Sequence, residues 1–346
     1  MQSIPQVDLT VESLPSLYPA HLRVGVYRIT MEALDRVELA DFSAATLRGA
    51  FGWSFKRMVC FQPQVKSCDG CLLWGQCPYP PIFEPRPDGG SVYAGGKDAP
   101  SPYVLRPPEG GKRSFGVGER FSFEVVLVGK AIGFLPYFAV ALQQLEESGL
   151  GRKRGRVRVT RIEDPLLTSP RLGEGLSRDA QGDGILFDEG EPEVIHSHAG
   201  WAAGEWISAQ PVPEEVTVHF STLTRLKSEG KMQTEPAFHV LYRALLRRVS
   251  ALCSAHTDVP WETEFAHLAE LARGVEVENS MMQAGSRHRR SDRQERRVEM
   301  RGTQGIMVYR GDLAPFWPLL QLGQVLHVGK SCTFGLGQYR LLTQPV

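Results

Sequence analysis

The chain has 346 residues, 39 basic against 39 acidic side chains, and 42% hydrophobic residues. That suits a folded protein of one large or two medium domains, and the zero net charge argues against a protein that coats nucleic acid indiscriminately. No apolar run reaches the roughly 18 residues of a membrane helix. The polar N-terminal stretch Met1–Tyr18 shows no basic segment leading into an apolar core, so the expected location is the cytoplasm.

The elements are read in chain order. Residues His21–Thr30 alternate apolar and polar, the period of a half-buried strand. Ser43 is placed to cap a helix running to about Cys60, with Leu47, Phe51, Phe55 and Met58 on one face. Residues 61–102 are rich in proline and glycine, an irregular loop too long to be casual in a compact domain. Phe121–Val128 reads as a strand, Pro136–Leu150 as a helix and Arg156–Ile162 as a strand. The order strand, helix, hairpin, helix, strand is the split βαβ of a ferredoxin-like fold.

The order then recurs after an irregular stretch. Glu215–Leu223 reads as a strand and Ala237–Ala255 as a helix with a Leu241/Leu245/Val249/Leu252 stripe. A second helical stretch covers Glu262–Ala272, two strands cover Ser286–Glu299 and Gly305–Tyr309, and a short helix covers Asp312–Leu322. A glycine-rich loop leading into a strand closes the chain from Val328 to Leu342. The expectation is an α+β protein of two tandem ferredoxin-like domains. They are placed at residues 1–165, with a cysteine-containing insertion at 60–102, and at 213–346, with residues 166–212 as linker.

Charge is unevenly distributed. Six cations and no acid lie between Arg152 and Arg161, and seven arginines lie between Arg287 and Arg301, whereas Glu174–Glu193 is acidic. Separated blocks of opposite sign suit a one-sided polyanion site, and equally a pair of solvated strand faces. Alternate residues of a strand share a face. Arg154, Arg156 and Arg158 are therefore expected to form one phosphate-tracking strip, with Arg152 beside it. Arg289, Ser291 and Arg293 form the other, with Arg287 beside it. Arginine suits both, because its fork binds phosphate bidentately and stacks on bases.

Cys60, Cys68, Cys71 and Cys77 fall within eighteen residues at spacings of seven, two and five. Such spacing suits a closed tetrahedral zinc site, and a cytosolic protein rarely uses disulfides. An iron–sulfur cluster or free thiols are the alternatives. A four-thiolate site leaves no open position for water, so the expected metal role is to fold the loop, with no catalytic metal.

Three segments together resemble the precursor-RNA-processing endoribonucleases of the RAMP superfamily, the sixth Cas family. The first is Leu47-Arg48-Gly49-Ala50-Phe51-Gly52, then the four cysteines with Pro78 and Phe83-Glu84-Pro85. The second is Leu135-Pro136-Tyr137-Phe138 leading to Gly149-Leu150-Gly151-Arg152. The third starts at Arg289-x-Ser291-x-Arg293-Gln294 and runs through Gly305–Tyr309 and Gly311-Asp312-Leu313. It ends on His327-Val328-Gly329-Lys330 and Phe334-Gly335-Leu336-Gly337. The resemblance spans almost the whole chain. It implies tandem ferredoxin-like domains, binding of a CRISPR repeat RNA and a single cut per repeat that releases guide RNAs. It also implies no membrane, and partnership with other Cas proteins of an effector complex.

RNA carries its own nucleophile. The 2′-hydroxyl attacks the adjacent phosphorus and expels the 5′-oxygen, and the protein need only align atoms, move protons and neutralise charge. The resemblance implies a tyrosine near the end of the first strand, a histidine on the first helix and a nearby lysine. Tyr27 and Lys56 fit the outer two positions, but no histidine stands between Ser43 and Cys60. His327 is the expected replacement, with His21 a weaker one, and Arg48 is expected to act electrostatically. In the loop Gly329–Gly337, glycines at 329, 335 and 337 with Lys330 suit a backbone anion nest. A tight strand connection is the plain alternative. The competing function is a RAMP subunit that holds guide RNA without cutting it.

Overall fold

The computed structural model describes residues 17–86, 99–168, 184–190, 200–207, 211–291 and 296–342. Strands β1 (Arg23–Ala33), β2 (Tyr103–Arg106), β3 (Arg120–Val128) and β4 (Val157–Glu163) form the centre of the first sheet. Its spatial order is β2-β3-β1-β4. Helix α1 (Ser43–Val59) follows β1, and α2 (Leu135–Gln143) follows β3. Strands β5 (Glu215–Thr224), β6 (Glu276–Ser291), β7 (Arg296–Arg310) and β8 (Tyr339–Leu342) form the second sheet, in the order β6-β7-β5-β8. Helices α3 (Phe238–His256) and α4 (Trp317–Leu326) make its crossovers. Both sheets are antiparallel with the second hairpin strand beside the first strand, the ferredoxin-like arrangement. The tandem α+β fold expected from the sequence is the fold observed.

Several local readings differ. Phe42, not Ser43, occupies the cap position of α1, and no side chain caps the helix. Phe42 is buried and its ring lies 6.1 Å from that of Phe334, so packing rather than capping fixes where the helix starts. The expected helix 136–150 breaks into α2 and a turn at Leu145–Ser148. Ser286–Glu299 is not one strand. Ser286–Ser291 ends β6 and Arg296–Glu299 begins β7, so the two form a long hairpin. Its outer strand is polar on both faces and has no alternation to read. The segment expected as linker supplies two short strands to the first sheet. Ile185–Asp188 pairs with β4, and Trp201–Ala202 pairs with the start of β1.

The apolar run Val125–Val128 explains how the halves meet. Val125 and Leu127 enter the core under α1 and α2, whereas Val126 and Val128 enter the core built by α3 and α4. A strand end buried on both faces reads as a continuous apolar run. The two ferredoxin-like units therefore share a core, and the glycine-rich loop of the second lies against α1 of the first.

Candidate nucleic-acid interface

The glycine-rich loop is the point where distant segments converge. Phe334 is half-buried, and the guanidinium groups of Arg48 (α1) and Arg289 (β6) each lie 4.8 Å from its ring centroid. Phe334, Gly335 and Leu336 line a groove of about 1000 Å³ between the domains, together with Arg28, Arg106, Arg120, Arg287 and Arg340. Arg225, just past β5, donates from Nε to the Arg301 carbonyl at 2.9 Å and from Nη1 to Ser331 Oγ at 3.1 Å. Burial lowers its pKa. Ser331 sits in the left-handed region at φ 67°, a conformation a non-glycine residue keeps only when its surroundings hold it. Among the described residues, Arg48, Arg225, Arg287, Lys330 and Arg340 form no ion pair with a carboxylate.

The loop glycines serve the fold. A Cβ on Gly337 would stand 1.9 Å from the Val328 carbonyl, one on Gly329 2.7 Å from the Arg225 carbonyl and one on Gly335 2.6 Å from the Leu105 carbonyl. The N–H groups of Lys330, Phe334, Gly335 and Gly337 all donate to protein carbonyls. Four N–H groups of the expected anion nest are thus taken by the protein itself.

His327 is fully buried with φ 60°. Arg106 Nε donates to its Nε2 at 3.1 Å, which leaves the ring proton on Nδ1, where it is donated to the Leu336 carbonyl at 3.2 Å. Burial and the neighbouring Arg106 hold its pKa well below the ordinary value. Arg106 also bonds the Gln324 and Val325 carbonyls at the end of α4 and forms an ion pair with Glu124 at 3.0 Å. Both ring nitrogens are engaged, so His327 pins the glycine loop to the first domain, and a general-base role would require the ring to leave Arg106 or the Leu336 carbonyl.

Tyr27 is also buried, and burial and the adjacent Asp164 raise its pKa. Asp164 in turn accepts from Trp201 Nε1 at 2.8 Å, which places Tyr27 beside an internal polar pair. Lys56 donates to the Val65 carbonyl and lies 5.2 Å from the Tyr79 ring, which assigns it to the cysteine loop. His21 is exposed at the start of the first strand.

Four cations of the first basic block are paired with carboxylates. Arg156 bonds both carboxylate oxygens of Asp35 (2.8 and 3.2 Å). Arg158 pairs with Glu146 and Glu189, Lys153 with Glu38 and Arg161 with Glu163. Arg154 is in a turn at φ 51°, before the strand starts, so Arg154, Arg156 and Arg158 do not share a strand face. Arg152 is exposed and donates its N–H to the Glu38 carbonyl. On the second strip, Arg287 and Arg289 lie on β6. Ser291 ends that strand, and Arg293 lies outside the described residues.

The four cysteines occupy one loop beside α1, and none is in a disulfide. The Cys71 N–H donates to the Cys68 carbonyl at 3.2 Å, and the Cys77 N–H to that of Leu73 at 2.9 Å. Burial and Glu84 push the Cys68 thiol up to about 11, with smaller contributions from the neighbouring Cys60 and Cys77. No three His, Cys, Asp or Glu side chains converge in metal-holding geometry among the described residues. The donor type suits zinc, but the geometry does not yet enclose it.

Residues 218–339 match the family model described as CRISPR-associated endoribonuclease Cas6, and residues 22–179 match a separate model described as an N-terminal domain. The second ferredoxin-like unit is therefore similar to that family. Among solved structures it resembles a Cas6 product complex at 16% identity and a TM-score of 0.53, with 92% of this chain and 100% of that one covered. It also resembles a partial Cas6-RT-Cas1–Cas2 complex at 11% identity and a TM-score of 0.52, with 95% of this chain and 47% of that one covered. These likenesses bear on the fold. No curated protein matches the chain. No helix among the described residues is long and apolar enough to cross a membrane.

Arg106, Arg225 and Phe334 were not singled out by sequence reasoning. Arg106 ends the short strand Tyr103–Arg106, in a stretch between the 61–102 loop and Phe121–Val128 that shows no period, and Arg225 is a single cation just past a strand. Phe334 lay within the glycine motif, where the glycines drew the attention.

Proposed function

We propose that the chain binds CRISPR repeat RNA at the rim of the glycine-rich loop and cuts it once per repeat by attack of its own 2′-hydroxyl, without a catalytic metal. The carrying observation is the convergence on the glycine-rich loop of Arg48 and Arg289, both against Phe334 of the groove lining, and of Arg225, which bonds Ser331 beside Lys330. Arg48, Arg225 and Lys330 form no ion pair with a carboxylate among the described residues, which leaves them available to a phosphate backbone. The arginines would neutralise the phosphorane and orient the scissile phosphate, which needs no titrating side chain. The products would be a 2′,3′-cyclic phosphate and a 5′-hydroxyl. Partners would be the repeat RNA and other Cas proteins.

The test is cleavage of the repeat RNA in EDTA, beside a substrate with one 2′-deoxy at the cut. A single EDTA-resistant cut blocked by the deoxy sugar supports the reading. Tight binding with no cut under either condition supports the second reading, a guide-holding subunit. That reading is favoured by one observation: α1 has no histidine, and both ring nitrogens of His327 are engaged.

For the cysteine loop we propose a structural zinc held by Cys60, Cys68, Cys71 and Cys77, with no part in the cut. The loop would tighten around the ion. Metal analysis of the purified protein should give one zinc per chain. Iron with a visible absorbance would point to a cluster, and no metal to free thiols.

A further inference from the structure

We propose that the exposed stripe Gly49–Trp53–Arg57 of α1 is a binding site for a single-stranded part of the RNA, with one base stacked on Trp53. The inference rests on the RNA-binding reading above and extends it from the groove onto the outside of the helix.

Three observations carry it. Gly49 is exposed inside a helix, and nothing lies within 4 Å of where its Cβ would stand. Glycine weakens a helix relative to alanine, so a fold alone would not ask for it. Gly52, three residues on, is different: its Cβ would meet Phe83 at 3.2 Å, a packing reason. A bare helix surface with no internal reason fits a ligand that approaches the backbone closely.

Trp53 is 48% exposed and belongs to none of the hydrophobic clusters. The Arg57 guanidinium lies 4.5 Å from its ring centroid. An exposed indole backed by an arginine is a stacking platform for a nucleobase, and it is tolerant of base identity because every base has a π face.

The stripe lies on the face of α1 next to the one that carries Arg48, about 100° around the helix at Gly49. Gly49 follows Arg48 in the chain, and Trp53 lies about 7.5 Å further along the helix axis than Arg48. Helix α1 carries Arg48, Lys56 and Arg57 and no acidic residue. Charge complementarity therefore favours a polyanion with aromatic bases over an acidic-and-basic protein surface.

The experiment compares wild type, Trp53→Ala, Trp53→Phe, Gly49→Gln and Arg48→Ala. Each is measured for affinity to the repeat RNA with its single-stranded flanks and to the same RNA with both flanks removed. Trp53→Ala should weaken binding of the flanked RNA roughly fivefold to a hundredfold, the range for one stacked base. It should leave the trimmed RNA unaffected, and Trp53→Phe should retain most of the affinity. Gly49→Gln should keep or raise the melting temperature and still weaken binding of the flanked RNA. Wild-type affinity of both Trp53→Ala and Gly49→Gln for the flanked RNA, with Arg48→Ala impaired, would overturn the stripe and leave the rim standing. Wild-type affinity of all three would sink both.

Discussion

The chain has two arginine-rich regions, and the structure treats them oppositely. The block Arg152–Arg161 holds more cations per residue, yet Arg156, Arg158, Lys153 and Arg161 each have a carboxylate partner from neighbouring elements. Around the glycine-rich loop the cations are scattered in sequence and meet only in space. Arg48, Arg225 and Lys330 have no ion pair there among the described residues. Surface ion pairs contribute little stability, but they remove a phosphate's reason to bind. The location of a polyanion site therefore follows from which cations lack partners rather than from how many there are.

The largest expected effect is on the loop itself. Gly337→Ala places a Cβ 1.9 Å from the Val328 carbonyl at φ 76°, and should cost about 3 kcal/mol or more in stability and abolish RNA binding with it. The equivalent change at Gly49, which is open, should do neither. A near-wild-type denaturation midpoint for Gly337→Ala would show that the loop relaxes and is not a rigid base for the rim.

His327→Ala comes next. It leaves Arg106 Nε without its acceptor in a buried place and should cost roughly 2–4 kcal/mol. His327→Gln, which can both accept and donate, should recover part of that. The same histidine predicts a pH dependence. Its folded pKa is depressed, so the unfolded chain binds its proton first as pH falls. The contribution to stability is complete above an ordinary histidine pKa of about 6.5 and declines below it. Chemical denaturation at pH 7.5 and pH 5.5 should show the loss in wild type and a smaller one in His327→Gln. An equal loss in both would assign the pH dependence elsewhere.

Smaller still should be Arg156→Ala with Arg158→Ala. Repeat-RNA affinity should stay within about twofold of wild type, and the denaturation midpoint should barely move. A loss of tenfold or more would mean that RNA displaces the carboxylates and that the block is part of the interface.

Most of the fold was legible. Alternation in β1 and β4 and the Leu241/Leu245/Val249/Leu252 stripe of α3 announced the elements, and their repeated order announced the tandem arrangement. The β6–β7 hairpin was misread because β6 is an outer strand with no buried face to impose a period. The site was legible in part. Arg48, Arg289 and the glycine loop were named, because the motifs that carry the family resemblance pass through them. His327 and Tyr27 are named for their chemistry, and the structure buries both. A sequence shows that a residue can titrate, not whether both its nitrogens are already bonded. Arg106 and Arg225 stand among ordinary residues, and only their reach across the domain boundary marks them.

The most direct test of the central claim is the salt dependence of repeat-RNA binding for wild type, for Arg48→Ala/Arg289→Ala and for Arg156→Ala/Arg158→Ala. The account predicts that the slope of log affinity against log salt falls by about 2 for the rim variant, about 1 for each lost phosphate contact, and is unchanged for the strip variant. A reduced slope in the strip variant with a wild-type slope in the rim variant would contradict it and place the RNA on the other side of the first domain.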